Sequence, residues 1–287
     1  MEKFIKSPLN YVGGKFKLLE QILQQFPSKI DNFVDLFAGG CNVGINITAN
    51  KIYFNDNLLY LIDLYKTFQN ESFEFIINFI EKRIREYNLS LTNEDGYNKL
   101  RIVYNNEKNP LDLFTLICYS FNHQIRFNNN HQFNTSFGKD RSSFNDSIKN
   151  NLEKFIYKLQ NSNVEFCCQS FELFDTTNFG ENDLFYCDPP YLITVGSYND
   201  GKRGFKGWTE REEIDLLIFL DKLDEDGVKF ALSNVLHHKG LTNDLLNDWL
   251  NNNDYKINIL DKNYSNASYH LKNRDNNSTV EILVTNY

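Results

Sequence analysis

A chain of 287 residues with 41% apolar and 24% charged side chains has the make-up of one large or two modest water-soluble domains. It contains no apolar run long enough to span a bilayer, and its start, MEKFIKSPLNY, lacks a signal-peptide core, so the cytosol is the expected compartment. The net charge of −8 weighs against a broadly basic nucleic-acid binder and leaves that role to a local cationic face.

In chain order, Phe16, Leu18, Leu19, Ile22, Leu23 and Phe26 recur with helical spacing and close at Pro27. A short strand, Phe33 to Phe37, then runs into Ala38-Gly39-Gly40 and a second helical stretch to Ile47. Another strand, Lys51 to Phe54, ends at Asn55-Asp56. From Leu58 to Leu159 the pattern turns amphipathic, with helices expected over Leu58–Phe68, Phe73–Tyr87, Tyr97–Tyr104, Leu111–Phe121 and Ile148–Leu159. Between the last two lies FNHQIRFNNNHQFNTSFGKDRSSF, Asn-rich and studded with aromatics, which reads as an irregular loop or hairpin. Strands return at Val164–Cys168, Leu184–Cys187, Lys229–Ser233, Lys256–Leu260 and Val280–Thr285, alternating with helices at Thr209–Leu223 and Leu241–Asn251. The five cysteines (41, 118, 167, 168 and 187) sit in apolar segments as reduced thiols, and no Cys or His spacing suggests a metal.

Two constellations carry chemistry. In NFVDLFAGGCNVG a strand ends in a glycine turn, which suits the edge of a doubly wound sheet where nucleotide-like ligands bind. The glycines let backbone approach a ligand, and Asp56 at the end of the next strand can take ribose hydroxyls. The spacing is not that of a dinucleotide pyrophosphate loop. The second constellation, Asp188-Pro189-Pro190-Tyr191, follows an apolar strand. An amine conjugated to a heteroaromatic ring is a poor nucleophile because its lone pair is delocalised. A carboxylate and a rigidly held carbonyl can accept its hydrogens where positive charge develops, and a tyrosine face can stack the ring. A base inside a duplex must flip out to reach such a pocket.

The motif Asp188 to Tyr191 resembles the DPPY motif of amino-methyltransferases that act on DNA adenine. Asp35 to Gly40 is similar to their S-adenosylmethionine motif, and SPLNYVGGKFKLL (Ser7 to Leu19) to the opening of the DNA adenine methylase (Dam) family. The resemblance runs end to end, nearest in look to the T-even phage Dam proteins, with cofactor site, recognition block and DPPY in the order of the α group. It implies a doubly wound, Rossmann-like α/β methyltransferase sheet with a mostly helical target-recognition domain inserted: 1–57 and 161–287 catalytic, 58–160 recognition. It also implies S-adenosylmethionine held by Tyr11, Lys15, Asp35, Phe37, the Ala38-Gly39-Gly40 turn, Asp56, Phe171 and Asp188. Asp188, Pro189, Pro190 and Tyr191 then receive the target adenine. Double-stranded DNA is the implied partner of a monomer, or of a dimer on DNA, with no metal and no membrane.

In the recognition block Phe121, Gln124 and Arg126 align with the family's reader. After Phe137-Gly138-Lys139, where close relatives place an arginine, this chain has Asp140 and then Arg141. Arginine is the expected reader of guanine. Lys139 and Arg141 are therefore DNA-binding candidates, with a plain solvated loop over an aromatic mini-core as the alternative. Lys202, Arg203 and Lys206, with Arg211 beyond them, read as phosphate contacts or as an ordinary mobile loop. His237 and His238 read as loop residues, and Trp208 and Trp249 as packing anchors. The leading expectation is methylation of the adenine 6-amino group in duplex GATC by base flipping. The alternatives are a restriction-modification methyltransferase with another short site and a catalytically silent DNA-binding module. Methylation of RNA or of protein glutamine fits poorly with the long helical insertion.

Overall fold

A computed structural model describes residues 3–11, 13–194, 207–260 and 279–287. Its centre is one mostly parallel sheet. Strands β1 (Asn32–Asp35), β2 (Lys51–Asn55), β3 (Val164–Cys167), β4 (Leu184–Cys187) and β5 (Lys229–His238) run parallel to one another. β7 (Lys256–Leu260) and β8 (Thr279–Thr285) close one side antiparallel. The order is β3-β2-β1-β4-β5-β8-β7, with the two-residue β6 (Leu241–Thr242) paired to β5. Strand order reverses direction between β1 and β4, so the crevice outside their C-terminal ends is the place where such sheets bind ligands.

Alternation along the strands sorts the core into two faces. Phe33, Leu184 and Tyr186 look toward α1 (Leu19–Leu23), α2 (Leu59–Asn70), α3 (Phe73–Glu86), α4 (Glu94–Glu107), α5 (Pro110–Tyr119) and α6 (Asp146–Gln160). Val34, Phe185 and Cys187 look the other way, toward α7 (Glu210–Glu225) and α8 (Asp244–Asn252). The helical block shares one continuous apolar cluster with the first face. Within it α5 is the hub, buried from Leu111 through Tyr119 and packed on α2, α3 and α4.

The asparagines do structural duty. Asn93, Asn109, Asn145 and Asn243 each cap a helix by accepting a backbone N–H, and Ser72 and Thr209 cap two more.

Three expected elements come out differently. The helix expected from Phe16 to Phe26 is a 3₁₀ turn, Lys15–Leu18, followed by the single short α1. The stretch after the glycines forms only a 3₁₀ turn, Gly44–Asn46. Here Asn42 and Asn46 spend their side chains on the backbone of Ser7 and Ile5, and Val43, Ile45 and Ile47 are β-branched, so helix loses the local competition. The helix expected from Leu241 begins at Asp244, because Lys239-Gly240, both at positive φ, turn the chain into a β5–β6 hairpin. His237 and His238 therefore end a strand instead of lying in a loop, each with Nδ1 on a threonine hydroxyl, Thr242 and Thr279.

Candidate active site

The end of β1 makes the floor. Asp35 is buried and its Oδ2 accepts the Gly44 N–H at 3.2 Å. A Cβ on Gly44 would meet the Phe54 ring at 2.3 Å, so only glycine lets this turn close on the carboxylate. Gly39 has φ +46 and lies against the ring of Tyr11, and its carbonyl accepts the buried Tyr65 hydroxyl at 2.6 Å. Asp56, one step past β2, accepts Gly39 N–H on one oxygen and Leu58 N–H on the other, both at 2.9 Å. That pair of bonds ties the glycine turn to the neighbouring strand end.

At the end of β4, Asp188 stands beside Lys15, whose side chain is 4% exposed and whose ammonium lies 2.7 Å from Asp188 Oδ1 and donates to the Gly13 carbonyl. The Tyr191 hydroxyl donates to the same oxygen at 2.9 Å, and its ring faces the Lys15 ammonium at 4.9 Å. Pro189 is buried and Pro190 exposed. Glu281 of β8 completes the group, 3.4 Å from Lys15 and 3.2 Å from the Tyr191 hydroxyl.

These residues open onto a cavity of about 380 Å³. Tyr11, Lys15, Phe37, Gly39, Asp56, Phe171, Asp188, Pro189, Pro190 and Tyr191 line it. Asp35, Ala38 and Gly40 line a smaller recess of about 60 Å³ that shares Tyr11, Lys15 and Asp188 with it. Phe37, Phe171 and Trp208 form a ring cluster on the wall, with centroids 5.4 to 5.8 Å apart. Trp208, expected as a packing anchor, thus also borders the cavity. Its indole N–H donates to the buried Glu213 at 2.6 Å, and Asn234 and Asn243 hold the other oxygen of that carboxylate.

Burial pushes Asp35 up to about 8; the Gly44 amide opposes this, and the charges of Asp188 and Asp56 add to it. Burial likewise raises Asp56 against its two backbone amides, and raises Asp188 against the pull of Lys15 and Tyr191. Lys15 is lowered by burial, but Asp188 and Glu281 more than offset that and hold it above its ordinary value. A pocket with more carboxylates than cations suits a ligand that brings positive charge, and the ring cluster suits a flat heterocycle. Asn55, 1% exposed, borders the cavity and donates to Leu36 and Gln169 carbonyls, while its buried Oδ1 has no hydrogen-bond partner among the described residues. An acceptor so placed fits a ligand amino group. S-adenosylmethionine, with a sulfonium, an ammonium and an adenine, matches all three features.

The recognition candidates divide. Arg126 is exposed and borders the cavity mouth with Ile125 and Phe127. Phe121 and Arg141 meet, the guanidinium 5.0 Å from the ring. Asp140 sits at φ +59 with its N–H on Leu91 O, an aspartate in a left-handed turn position that throws Arg141 outward. Lys139 is exposed on that turn, and Gln124 is half-buried, its backbone carbonyl accepting Thr135 and Ser120 hydroxyls. The block is an irregular hairpin with bridges at Ser120–Phe137 and Phe127–Phe133. Lys202, Arg203 and Lys206 lie outside the described residues, and Arg211 pairs with Asp215 on the surface of α7. No cluster of three His, Cys, Asp or Glu side chains suited to a metal occurs among the described residues. Sequence reasoning passed over Glu281 and Asn55. The one available signal was a lone acid inside the apolar run VEILV.

Residues 11–270 match the family described as D12 class N6 adenine-specific DNA methyltransferase. The chain is 54% identical over 284 residues to the type II methyltransferase M.FokI of Planomicrobium okeanokoites, covering 99% of this chain and 43% of that protein. It is 49% identical over 286 residues to the modification methylase StsI of Streptococcus sanguinis, covering 100% of this chain and 43% of that one. The DNA adenine methylase of Haemophilus influenzae is 27% identical over 189 residues, 64% of this chain and 63% of its own. The chain therefore spans about two fifths of the length of the first two relatives.

Proposed function

The chain belongs to the D12 class of N6 adenine-specific DNA methyltransferases, and we propose that it methylates the 6-amino group of adenine in a short duplex site, GATC, by base flipping. The observation that carries this reading is Asp188, fixed at the end of β4 and open to the same cavity as the glycine turn, Asp56 and the Phe37–Phe171–Trp208 rings. Bound S-adenosylmethionine would supply a sulfonium methyl that passes to the amine nitrogen, sulfur keeping the bonding pair and the nitrogen shedding a proton. Tyr11, Asp35, Phe37, the Ala38–Gly40 turn, Asn55, Asp56, Phe171 and Trp208 would hold that group. Asp188 accepts an N–H of the target amine and returns electron density to its nitrogen. Pro189 offers its carbonyl to the second N–H, and Tyr191 and Pro190 wall the flipped ring.

Residues 58–160 form the recognition part of this reading, and 1–57 with 161–287 the catalytic part. Arg126, Lys139, Arg141, Gln124 and Phe121 face DNA, and Lys202, Arg203 and Lys206 grip phosphate. A second reading keeps the chemistry and changes the site. The left-handed turn at Asp140, where an arginine is expected, and the type II and modification names of the relatives at 54% and 49% identity favour it. One experiment tests both. Methylation mapping on plasmid DNA should give N6-methyladenine in one short motif, and Asp188→Ala should bind the methyl donor yet lose transfer by about 10³-fold. Near-normal turnover in that variant overturns the mechanism. Donor binding without transfer to any DNA revives the silent module, and a motif other than GATC selects the second reading.

A further inference from the structure

Lys15 sets a problem for that chemistry. A carboxylate paired with an ammonium at 2.7 Å is a weak acceptor for an amine about to become positive. A counterweight arrives from the far end of the chain. β8 runs antiparallel to β5, so its beginning, not its end, reaches the sheet edge where Asp188 stands. Glu281 is 5% exposed there and borders neither the main cavity nor the recess. Its Oε1 lies 3.4 Å from the Lys15 ammonium and accepts the Tyr191 hydroxyl at 3.2 Å. The same two donors reach Asp188 Oδ1 at 2.7 and 2.9 Å. Two carboxylates thus share one ammonium and one phenol.

We propose that Glu281 is a positioning residue for methyl transfer: it takes up the charge of Lys15 and a share of the Tyr191 hydroxyl, so that ionised Asp188 is not neutralised by Lys15 and stays a strong acceptor for the target amine. With Lys15 at +1 and Asp188 and Glu281 each at −1, the centre carries one net negative charge instead of none. The cation developing on nitrogen meets that charge in a site of low dielectric. Among the described residues, the other ionisable groups felt by this centre are Asp35 from β1 and Tyr186 and Cys187 from β4, the Tyr186 hydroxyl being held by Ser233 of β5 at 2.9 Å. None of these touches Lys15 within bonding distance among the described contacts, so among the described residues Glu281 is the group placed to offset it.

The proposal rests on the methyltransferase reading, and the test separates the two. Single-turnover methyl transfer is measured across pH with the whole chain in excess over duplex DNA carrying the mapped site. The proteins are wild type, Glu281→Gln, Glu281→Asp, Lys15→Met and the Lys15→Met/Glu281→Gln double variant. A wild type that transfers no methyl sinks the reading itself. With wild type active, Glu281→Gln should keep donor affinity and lose about 10- to 100-fold in rate, the usual scale for residues acting through another. Its acidic limb should move to lower pH. The rate needs Asp188 ionised, and removing a neighbouring negative charge makes that ionisation easier. Glu281→Asp keeps the charge and should leave the limb in place. In the Lys15→Met background the further Glu281→Gln change should cost less than about threefold, because the charge it offsets is gone. An unchanged rate in Glu281→Gln overturns the proposal. So does an equal loss in both backgrounds with the limb unmoved, which is what a purely structural role would give.

Discussion

In the pocket, side chains fix one another: Lys15, Asp188, Tyr191 and Glu281 come from three separate segments and meet through charge and hydrogen bonds inside 3.4 Å. In the 121–144 block, side chains fix a backbone. One face of α4 staples it, Tyr97 and Arg101 donating to Thr135 O, Asn105 clasping Phe133 at both N–H and C=O, and Lys108 reaching His131 O at 2.7 Å. Phe127 then stacks on Tyr60 at 4.6 Å, and Phe133 meets Tyr104 edge-on. The pocket therefore specifies its functional atoms to the ångström, while the block specifies only a platform, from which Arg126, Lys139 and Arg141 project. Chemistry common to every substrate belongs in the first kind of construction. A preference for particular bases, which can change with one residue, belongs in the second.

The largest expected effect tests whether the platform is separate. Phe133→Ala empties a fully packed aromatic site and should cost about 3–5 kcal/mol. Because the block shares its apolar cluster with one face of the sheet, the loss should appear as one transition in urea. Both tryptophans, Trp208 and Trp249, lie outside the 58–160 block and pack in the opposite cluster, so their fluorescence reports the sheet. An earlier transition seen only by circular dichroism, with tryptophan signal and donor affinity intact, would make the block an independent unit. A smaller effect addresses reading. Arg141→Ala should relax preference at one base position by about 1–3 kcal/mol, and Arg141→Lys should not restore it, because the planar fork is lost. Rates on the original site at saturating DNA should stay near wild type. If Arg141→Ala instead lowers the rate equally on all sequences, it grips phosphate and does not read a base.

The contrast also explains what the sequence disclosed. Asp188 to Tyr191 is legible because four contiguous residues at the end of one apolar strand line the cavity, and Asp35, Gly39 and Asp56 are legible because strand ends and glycine turns announce a ligand edge. The strands and most helices follow from period and capping, the asparagine caps included. Glu281 is not legible, since its role depends on β8 running antiparallel into place, which no local pattern states. Trp208 looked like packing and is packing, yet it also walls the cavity. Arg126, aligned as a base reader, borders the cavity mouth as well, a position set by how α4 staples the loop. The helix expected after Gly40 was lost to side chains of Asn42 and Asn46 bonding distant backbone, a tertiary choice that outweighs periodicity.

The same contrast predicts where pH acts. Three carboxylates raised by burial, Asp35, Asp56 and Asp188, line the pocket or its recess. For Asp35, burial raises the folded pKa from 3.8 to about 8, so between those limits the folded chain holds a proton that the unfolded chain has released. Stability without ligand should then fall as pH rises through that window, by up to about 1.4 kcal/mol per pH unit from this one group. A cationic ligand favours ionised Asp35, so its affinity should climb between about pH 6 and 8 and level off above, with proton release on binding below pH 8. Asp35→Asn keeps an acceptor for the Gly44 N–H and removes the charge. It should flatten this part of the stability profile, most visibly as added stability near pH 8, and weaken the rise in donor affinity, both measurable by thermal melts and calorimetry. Arg141→Ala should leave both profiles as they are. If Asp35→Asn retains the wild-type slopes, the proton belongs to Asp56 or Asp188, and the floor of the pocket is ionised throughout.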